Sequence, residues 1–212
     1  AISRQRYWGA PLPIWANPTS GVHHVCRSLA DVQALVPKSG NEYYVARHGE
    51  SVSNVEGFLN GDTSVENPIT PKGIEQAKQA AKNVPQDIDY IFVSPLQRTK
   101  ETAQYIADGL GLSADKLIVD ARLRESGMGE LEGEQGVKKE AVFSSEEDEY
   151  LVSRSGMESL QQIRVRMGEF LYELEQKYQG KKILIVSHGD PLCMLESVSK
   201  GLTMKESLQV FD

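Results

Sequence analysis

At 212 residues, with 40% hydrophobic and 25% charged side chains, the chain suits one α/β domain, alone or with an appendage. A formal net charge of −7 argues against a surface that tracks nucleic acid throughout, because affinity for a phosphate backbone comes from Lys and Arg. No apolar run is long enough to span a bilayer, and the N-terminal Arg4-Gln5-Arg6-Tyr7-Trp8 lacks a signal-peptide core. Cys26 and Cys193 lie far apart and outside any CxxC pair, which points to a reducing, cytoplasmic setting.

Residues 1–40 are rich in Pro, Trp and turn formers, with a short amphipathic piece at 29–36 and a breaker cluster, Pro37-Lys38-Ser39-Gly40-Asn41, that reads as a linker. His23, His24 and Cys26 are bunched in a strand-like stretch without the spacing of a tetrahedral site, so no metal is expected. The opening on Ala reads as a fragment of a longer polypeptide. From Glu42 onward strand and helix alternate. Strands are expected at 42–47, 90–93, 117–119 and 182–186, the last apolar and β-branched enough to be buried on both faces.

Between them, Thr70-Pro71 opens a helix as N-cap and first helical proline, with Ile74, Ala77, Ala81 and Val84 on its apolar side. A second helix is expected over 95–110, ending at Gly111, and the longest over 157–178, ending at Gly180. The segment 134–156 interrupts this alternation as an insertion. Its run Ser144-Ser145-Glu146-Glu147-Asp148-Glu149 reads as a solvated acidic loop or helix start, or as a flap over the site. The alternation implies a three-layer α/β/α domain over 41–212 with a mostly parallel sheet. One edge strand after the helix that follows His188 is expected to be absent or supplied by another segment.

Two strands end on a histidine, Arg47-His48-Gly49 and Ser187-His188-Gly189. Parallel strands deliver their C-terminal residues to a common crevice, so the two imidazoles are expected to meet there. If His48 attacks a phosphoryl group, the equatorial oxygens need cations and the leaving alkoxide needs a proton. Arg47 and Arg98 suit the first task, since guanidinium forks match phosphate oxygens. Asn54 lies on the segment after His48, expected to become a helix whose N-terminus favours an anion. Glu125 is the acid candidate, and His188 a second imidazole contact to phosphate.

Arg47-His48-Gly49-Glu50-Ser51 with Asn54, Ser94-Pro95-Leu96 with Arg98, Leu123-Arg124-Glu125 with Gly129-Glu130-Leu131-Glu132-Gly133, and Ser187-His188-Gly189 together resemble the histidine phosphatase superfamily, which includes the phosphoglycerate mutases. The resemblance covers roughly 42–200. It implies a phosphoglycerate mutase-like fold, a phosphohistidine on His48, a phosphate pocket of Arg47, Asn54, Arg98 and His188, and Glu125 as proton donor. It implies no metal or cofactor. The ligand expected is a phosphorylated small molecule, or a phosphate or sulfate ion in the same pocket. Where the family often has Asp ahead of Pro-Leu-Thr this chain reads Asn67-Pro68-Ile69-Thr70, a departure expected to cost little. The loop after Glu125 resembles the phosphatase branch, and the acidic insertion fits poorly with holding a bisphosphate, so phosphatase outranks mutase.

Ile2-Ser3-Arg4-Gln5-Arg6-Tyr7-Trp8-Gly9 with Pro11-Leu12-Pro13-Ile14-Trp15 resembles a strip of the isoleucyl-tRNA synthetase catalytic domain. The resemblance extends through residues 1–36. It implies a phosphatase-like domain inserted in or fused to a synthetase-like chain, with tRNA as a partner only through that parent. The two nucleotide-binding signatures of class I synthetases are absent, so this segment cannot activate an amino acid. A catalytically silent insertion with a structural or tRNA-contacting role is the alternative.

Overall fold

The computed structural model describes residues 14–16, 23–25, 39–136 and 142–211. The chain divides into two compact units, Ala1–Lys38 and Ser39–Asp212. In the first, β1 (Ile14–Ala16) and β2 (His23–Val25) pair antiparallel with Trp15 opposite His24. The amphipathic piece at 29–36, Cys26 and most of the synthetase-like strip lie outside the described residues, as do residues 137–141 of the insertion.

The second unit is built on four parallel strands, β3 (Glu42–Arg47), β4 (Tyr90–Val93), β5 (Leu117–Val119) and β6 (Lys182–Ser187), in the order β3-β6-β4-β5. Central β4 and β6 read as unbroken apolar runs because both of their faces are covered. One face, with Ile91, Val93, Leu184 and Val186, packs on α2 (Pro71–Asn83) and α3 (Gln97–Leu110) through Ala81, Ala103, Ile106 and Ala107. On the other, Phe92, Ile183 and Ile185 meet α5 (Leu160–Lys177) and α6 (Gly189–Lys200) through Ile163, Met167, Phe170, Met194 and Leu195. This is the expected α/β architecture, a parallel sheet with helices on both sides. Phe170 is fully buried, and truncation to Ala at such a position costs about 3–5 kcal/mol.

Helix starts differ from expectation where capping decides them. The second expected helix begins at Gln97, not residue 95, because Leu96 holds an extended backbone (φ −71°, ψ 147°) and serves as N-cap. The long helix begins at Leu160, not residue 157. Ser159 caps it in a reciprocal box with Gln162, while Met157 bridges to Met128 outside the helix. Thr70 caps α2 as read, its Oγ1 accepting from the Gly73 amide at 3.1 Å. The acidic run starts a helix, α4 (Glu146–Leu151), capped by Ser145. Tyr150 ties that helix to the core cluster. The remaining short helices are α1 (Val52–Glu56) and α7 (Met204–Leu208). No helix among the described residues is long and apolar enough to cross a membrane.

Candidate active site

All four strands deliver their carboxyl ends to one edge of the sheet. In β3 and β6, Arg47 stands opposite Ser187, so the next residue of each strand is a histidine and the two are neighbours. The His48 amide donates to the Ser187 carbonyl at 3.1 Å, and the ring centroids are 5.1 Å apart. The Ser94 amide, just past β4, continues the ladder to Val186 at 3.1 Å.

His48 is buried, with Nδ1–H donating to the Gly49 carbonyl at 2.8 Å. That leaves Nε2 as the acceptor, and Arg98 Nε–H points at it from 3.2 Å. Both contacts select one neutral tautomer, the one with a nucleophilic Nε2. Burial, reinforced by the Arg98 and Arg47 charges, pushes the imidazolium pKa down to about 4.

The backbone around His48 is held by close approach. A Cβ on Gly49 would lie 2.4 Å from the Gly73 carbonyl oxygen, and one on Gly73 would lie 2.2 Å from that of Glu50. Only glycines allow the first turn of α2 to press on the segment that follows β3 in this way. The Gly49 amide donates to Thr102 Oγ1 at 3.0 Å, and that hydroxyl donates to the Arg98 carbonyl at 2.7 Å.

His188 is fully buried, and burial before any charge holds its pKa well below the usual imidazole range. Its Nε2 is 2.8 Å from Ser94 Oγ. Ser94 Oγ also accepts from the Leu96 amide at 3.4 Å, and when its own proton goes to Nε2 the His188 proton sits on Nδ1. Nδ1 is buried with no hydrogen-bond partner and lies 3.6 Å from Glu125 Oε2. A buried donor in that condition fits a ligand oxygen.

Arg98, buried on the first turn of α3, is gripped by a network that the motif reading did not foresee. Nη1 donates to Asn60 Oδ1 at 2.6 Å and Nη2 to the Asn60 carbonyl at 2.9 Å. Asn67 Nδ2 donates to the same Asn60 Oδ1 at 2.9 Å and to Ser53 Oγ at 2.8 Å, while Asn67 Oδ1 accepts the Ser53 amide at 3.0 Å. Asn60 Nδ2 and the Gly61 and Asp62 amides converge on the Glu132 carboxylate within 3.1 Å. Asn67, where the family often has Asp, thus belongs to this network. It is buried at the centre of the support for Arg98, where an amide supplies the N–H that a carboxylate lacks. Burial, opposed by the Glu125 charge, lowers the Arg98 pKa to about 10.

Glu125 follows β5 on a short loop. Its Oε1 accepts the Ser126 amide at 2.9 Å, and Oε2 lies 3.9 Å from Arg98 Nη2. Ser126 Oγ donates to Asp190 Oδ2 at 2.6 Å. His48, Arg98, Glu125 and His188 thus come together within a few ångströms. Arg47 is exposed, and its charge acts on both histidines and on Arg98. Asn54 is exposed on α1, and its Oδ1 turns back to accept from the Ser51 amide and hydroxyl, each at 3.0 Å, closing that helix's capping box. Among the described residues no three His, Cys, Asp or Glu side chains are grouped to hold a metal ion.

Ser94 stood inside a recognised motif without a role, and Asn60 had no sequence signal at all. Arg166 did have one. It is a charged residue on the buried arc of α5, between Ile163 and Phe170.

The family model described as "Histidine phosphatase superfamily (branch 1)" matches residues 43–210. A probable phosphoglycerate mutase GpmB from Enterobacter sp. (strain 638) is 34% identical over 171 residues, covering 76% of this chain and 75% of the relative. Among solved structures, Bacillus stearothermophilus YhfR superposes with a TM-score of 0.67 at 25% identity, over 79% of this chain and 83% of that one. A mycobacterial glucosyl-3-phosphoglycerate phosphatase in complex with VO3 superposes with a TM-score of 0.68 at 22% identity, over 78% and 84%. The family match begins at residue 43, after the strip at 1–36.

Proposed function

Since the chain belongs to the histidine phosphatase superfamily, whose activities are of phosphatase and mutase type, we propose that it is a metal-independent phosphomonoester hydrolase with His48 as nucleophile. The observation that carries this reading is the pairing of a tautomer-fixed His48 Nε2, faced by Arg98 Nε–H, with a neighbouring buried His188 Nδ1 that has no hydrogen-bond partner. His48 Nε2 attacks phosphorus as the P–O ester bond breaks, and protonated Glu125 gives its proton to the leaving alkoxide. Arg98, Arg47 and His188 Nδ1–H face the charge that spreads over the equatorial oxygens. The N-terminus of α6, which His188 caps, adds its partial positive charge. Water then attacks the phosphohistidine, Glu125 takes its proton, and inorganic phosphate leaves with His48 restored. Asn54 is assigned a further phosphate contact through its amide nitrogen.

Hydrolysis is preferred over mutase chemistry because the loop after Glu125 resembles the phosphatase branch and the acidic run at 144–149 is a poor cradle for a second phosphate. The intact set of His48, Arg98, Glu125 and His188 also weighs against a silent insertion. The wording of residues 2–15 supports a parent chain of synthetase type, which the flanking sequence would settle.

The test is hydrolysis of p-nitrophenyl phosphate without added metal by wild type and His48→Ala, with rapid-quench trapping of a base-stable, acid-labile phosphoprotein. Wild-type turnover and trapped phosphohistidine, both lost in the variant, are expected. Equal rates in the two proteins, or label on a serine, would sink the reading.

A further inference from the structure

Arg166 is a buried cation with no role in the proposed chemistry so far. It reaches from α5 to the loop that carries Glu125. Nη1 donates to the Arg122 carbonyl, and Nη2 to the Glu125 carbonyl at 3.3 Å. Its counter-ion is Glu158, with Nε 3.2 Å from Oε1 and Nη2 3.3 Å from Oε2. Glu158 in turn accepts the Gly127 amide at 3.0 Å and Arg124 Nη2 at 2.5 Å. The Glu158 amide donates back to the Gly127 carbonyl at 3.2 Å, and Ser187 Oγ donates to the Leu123 carbonyl at 2.7 Å. The loop is therefore fixed at the backbone of residues 122, 123, 125 and 127 by side chains from α5, its N-terminal approach and β6.

A buried ion pair is weak evidence for stability, because desolvating two charges offsets most of their attraction. Here the fork geometry serves something else, since a guanidinium can hold two carbonyls and a carboxylate in fixed relation and an ammonium cannot. We propose that the Arg166–Glu158 pair is a positioning device for Glu125, setting the distance from its carboxyl group to the leaving-group oxygen. The proposal rests on the reading of Glu125 as proton donor. Arg166 bonds to the loop backbone and to Glu158, and its charge, felt also by His188 and Glu125, is kept in Arg166→Lys, so that variant isolates the loss of the fork. Misplacement of a catalytic group by about 1 Å costs on the order of a hundredfold in rate. That loss should fall on the proton transfers of Glu125, of which only the one to the leaving group depends on the ester.

Leaving-group dependence reads that step. p-Nitrophenolate departs without a proton, whereas the alkoxide of glycerol 2-phosphate requires one, and general acid catalysis is worth about 10²–10⁴ in rate. Arg166→Lys keeps the charge but loses the fork. The double variant Arg166→Met with Glu158→Gln removes both charges together, so neither is left buried alone. Both are compared with wild type and Glu125→Gln on the two esters, with thermal melts confirming a folded protein. The expected result is a fall in kcat/KM, which stops at phosphoryl transfer to His48 and leaves out the shared hydrolysis of the phosphohistidine, at least tenfold greater on glycerol 2-phosphate than on p-nitrophenyl phosphate, in both Arg166 variants and in Glu125→Gln. Equal losses on the two esters in the Arg166 variants, with selective loss in Glu125→Gln, overturn the positioning role and leave the acid intact. Equal losses in Glu125→Gln overturn the acid reading, and the positioning role falls with it.

Discussion

A folded chain that keeps His48 neutral must lose stability in acid, by an amount that can be worked out. The imidazole pKa drops from 6.5 to about 4 on folding. On acidification the unfolded chain therefore binds the proton first, and stability falls as pH falls from the unfolded value through the folded one. Linkage gives a loss of about 2 kcal/mol near pH 5 and about 3 kcal/mol near pH 4 from this one group. The perturbation is His48→Gln, which keeps a neutral polar side chain of similar size and removes the titration. Urea unfolding of both proteins across this range checks it, read as the difference between their stabilities. The His188 shift has the same direction and comes first from burial, which the substitution leaves in place, with His48 only one of the lesser charges behind it. The curves should converge toward low pH, with wild type losing the extra amount. Parallel curves between neutrality and pH 4, or an NMR titration of His48 near 6.5, would refute the burial argument. The same shift predicts that the acid limb of kcat/KM falls near the His48 value.

Two substitutions test the supports of the site. Asn67→Asp removes the Nδ2–H bonds to Asn60 and Ser53 and sets a carboxylate against Asn60 Oδ1, which Arg98 Nη1 already uses. A destabilisation of about 1–3 kcal/mol is expected. Inhibition by inorganic phosphate should weaken roughly tenfold, equivalent to about 1.4 kcal/mol. Unchanged thermal stability and unchanged inhibition would show that Asn67 does not brace Arg98. Gly73→Ala places a methyl group 2.2 Å from the Glu50 carbonyl, so α2 must withdraw from the segment that follows β3. Overpacking of this kind costs about 1–3 kcal/mol, and a fall in kcat on p-nitrophenyl phosphate should accompany it. A variant as stable and active as wild type would mean that the two backbones separate freely.

The elements whose pattern is local were legible in advance. The β4 and β6 runs, the Thr70-Pro71 start of α2 and the glycine stop at 111 depend on neighbours within a turn or a strand, whereas the long helix stops at Lys177 with Tyr178, not Gly180, as its C-cap. Helix starts at Gln97 and Leu160 were misplaced because caps, not apolar periodicity, decide them. The Ser159-x-x-Gln162 box was present to be read. At the site, the chain order of Arg47-His48, Arg98, Glu125 and His188 supplied the chemistry by resemblance to a family. The register of β3 on β6 then explained why two histidines 140 positions apart meet.

The amino-acid order by itself determined the alternation of strand and helix, the parallel sheet and which residues could bear phosphoryl chemistry. Those properties follow from side-chain pattern along the chain. Only the tertiary structure decided what holds those residues in place: Ser94 on the His188 ring, Asn60 and Asn67 under Arg98, and Arg166 with Glu158 behind the Glu125 loop. Each of these is a hydrogen bond between segments far apart in sequence. A buried polar side chain takes its partner from whatever the packed elements bring within 3 Å or so, and no local pattern encodes that meeting.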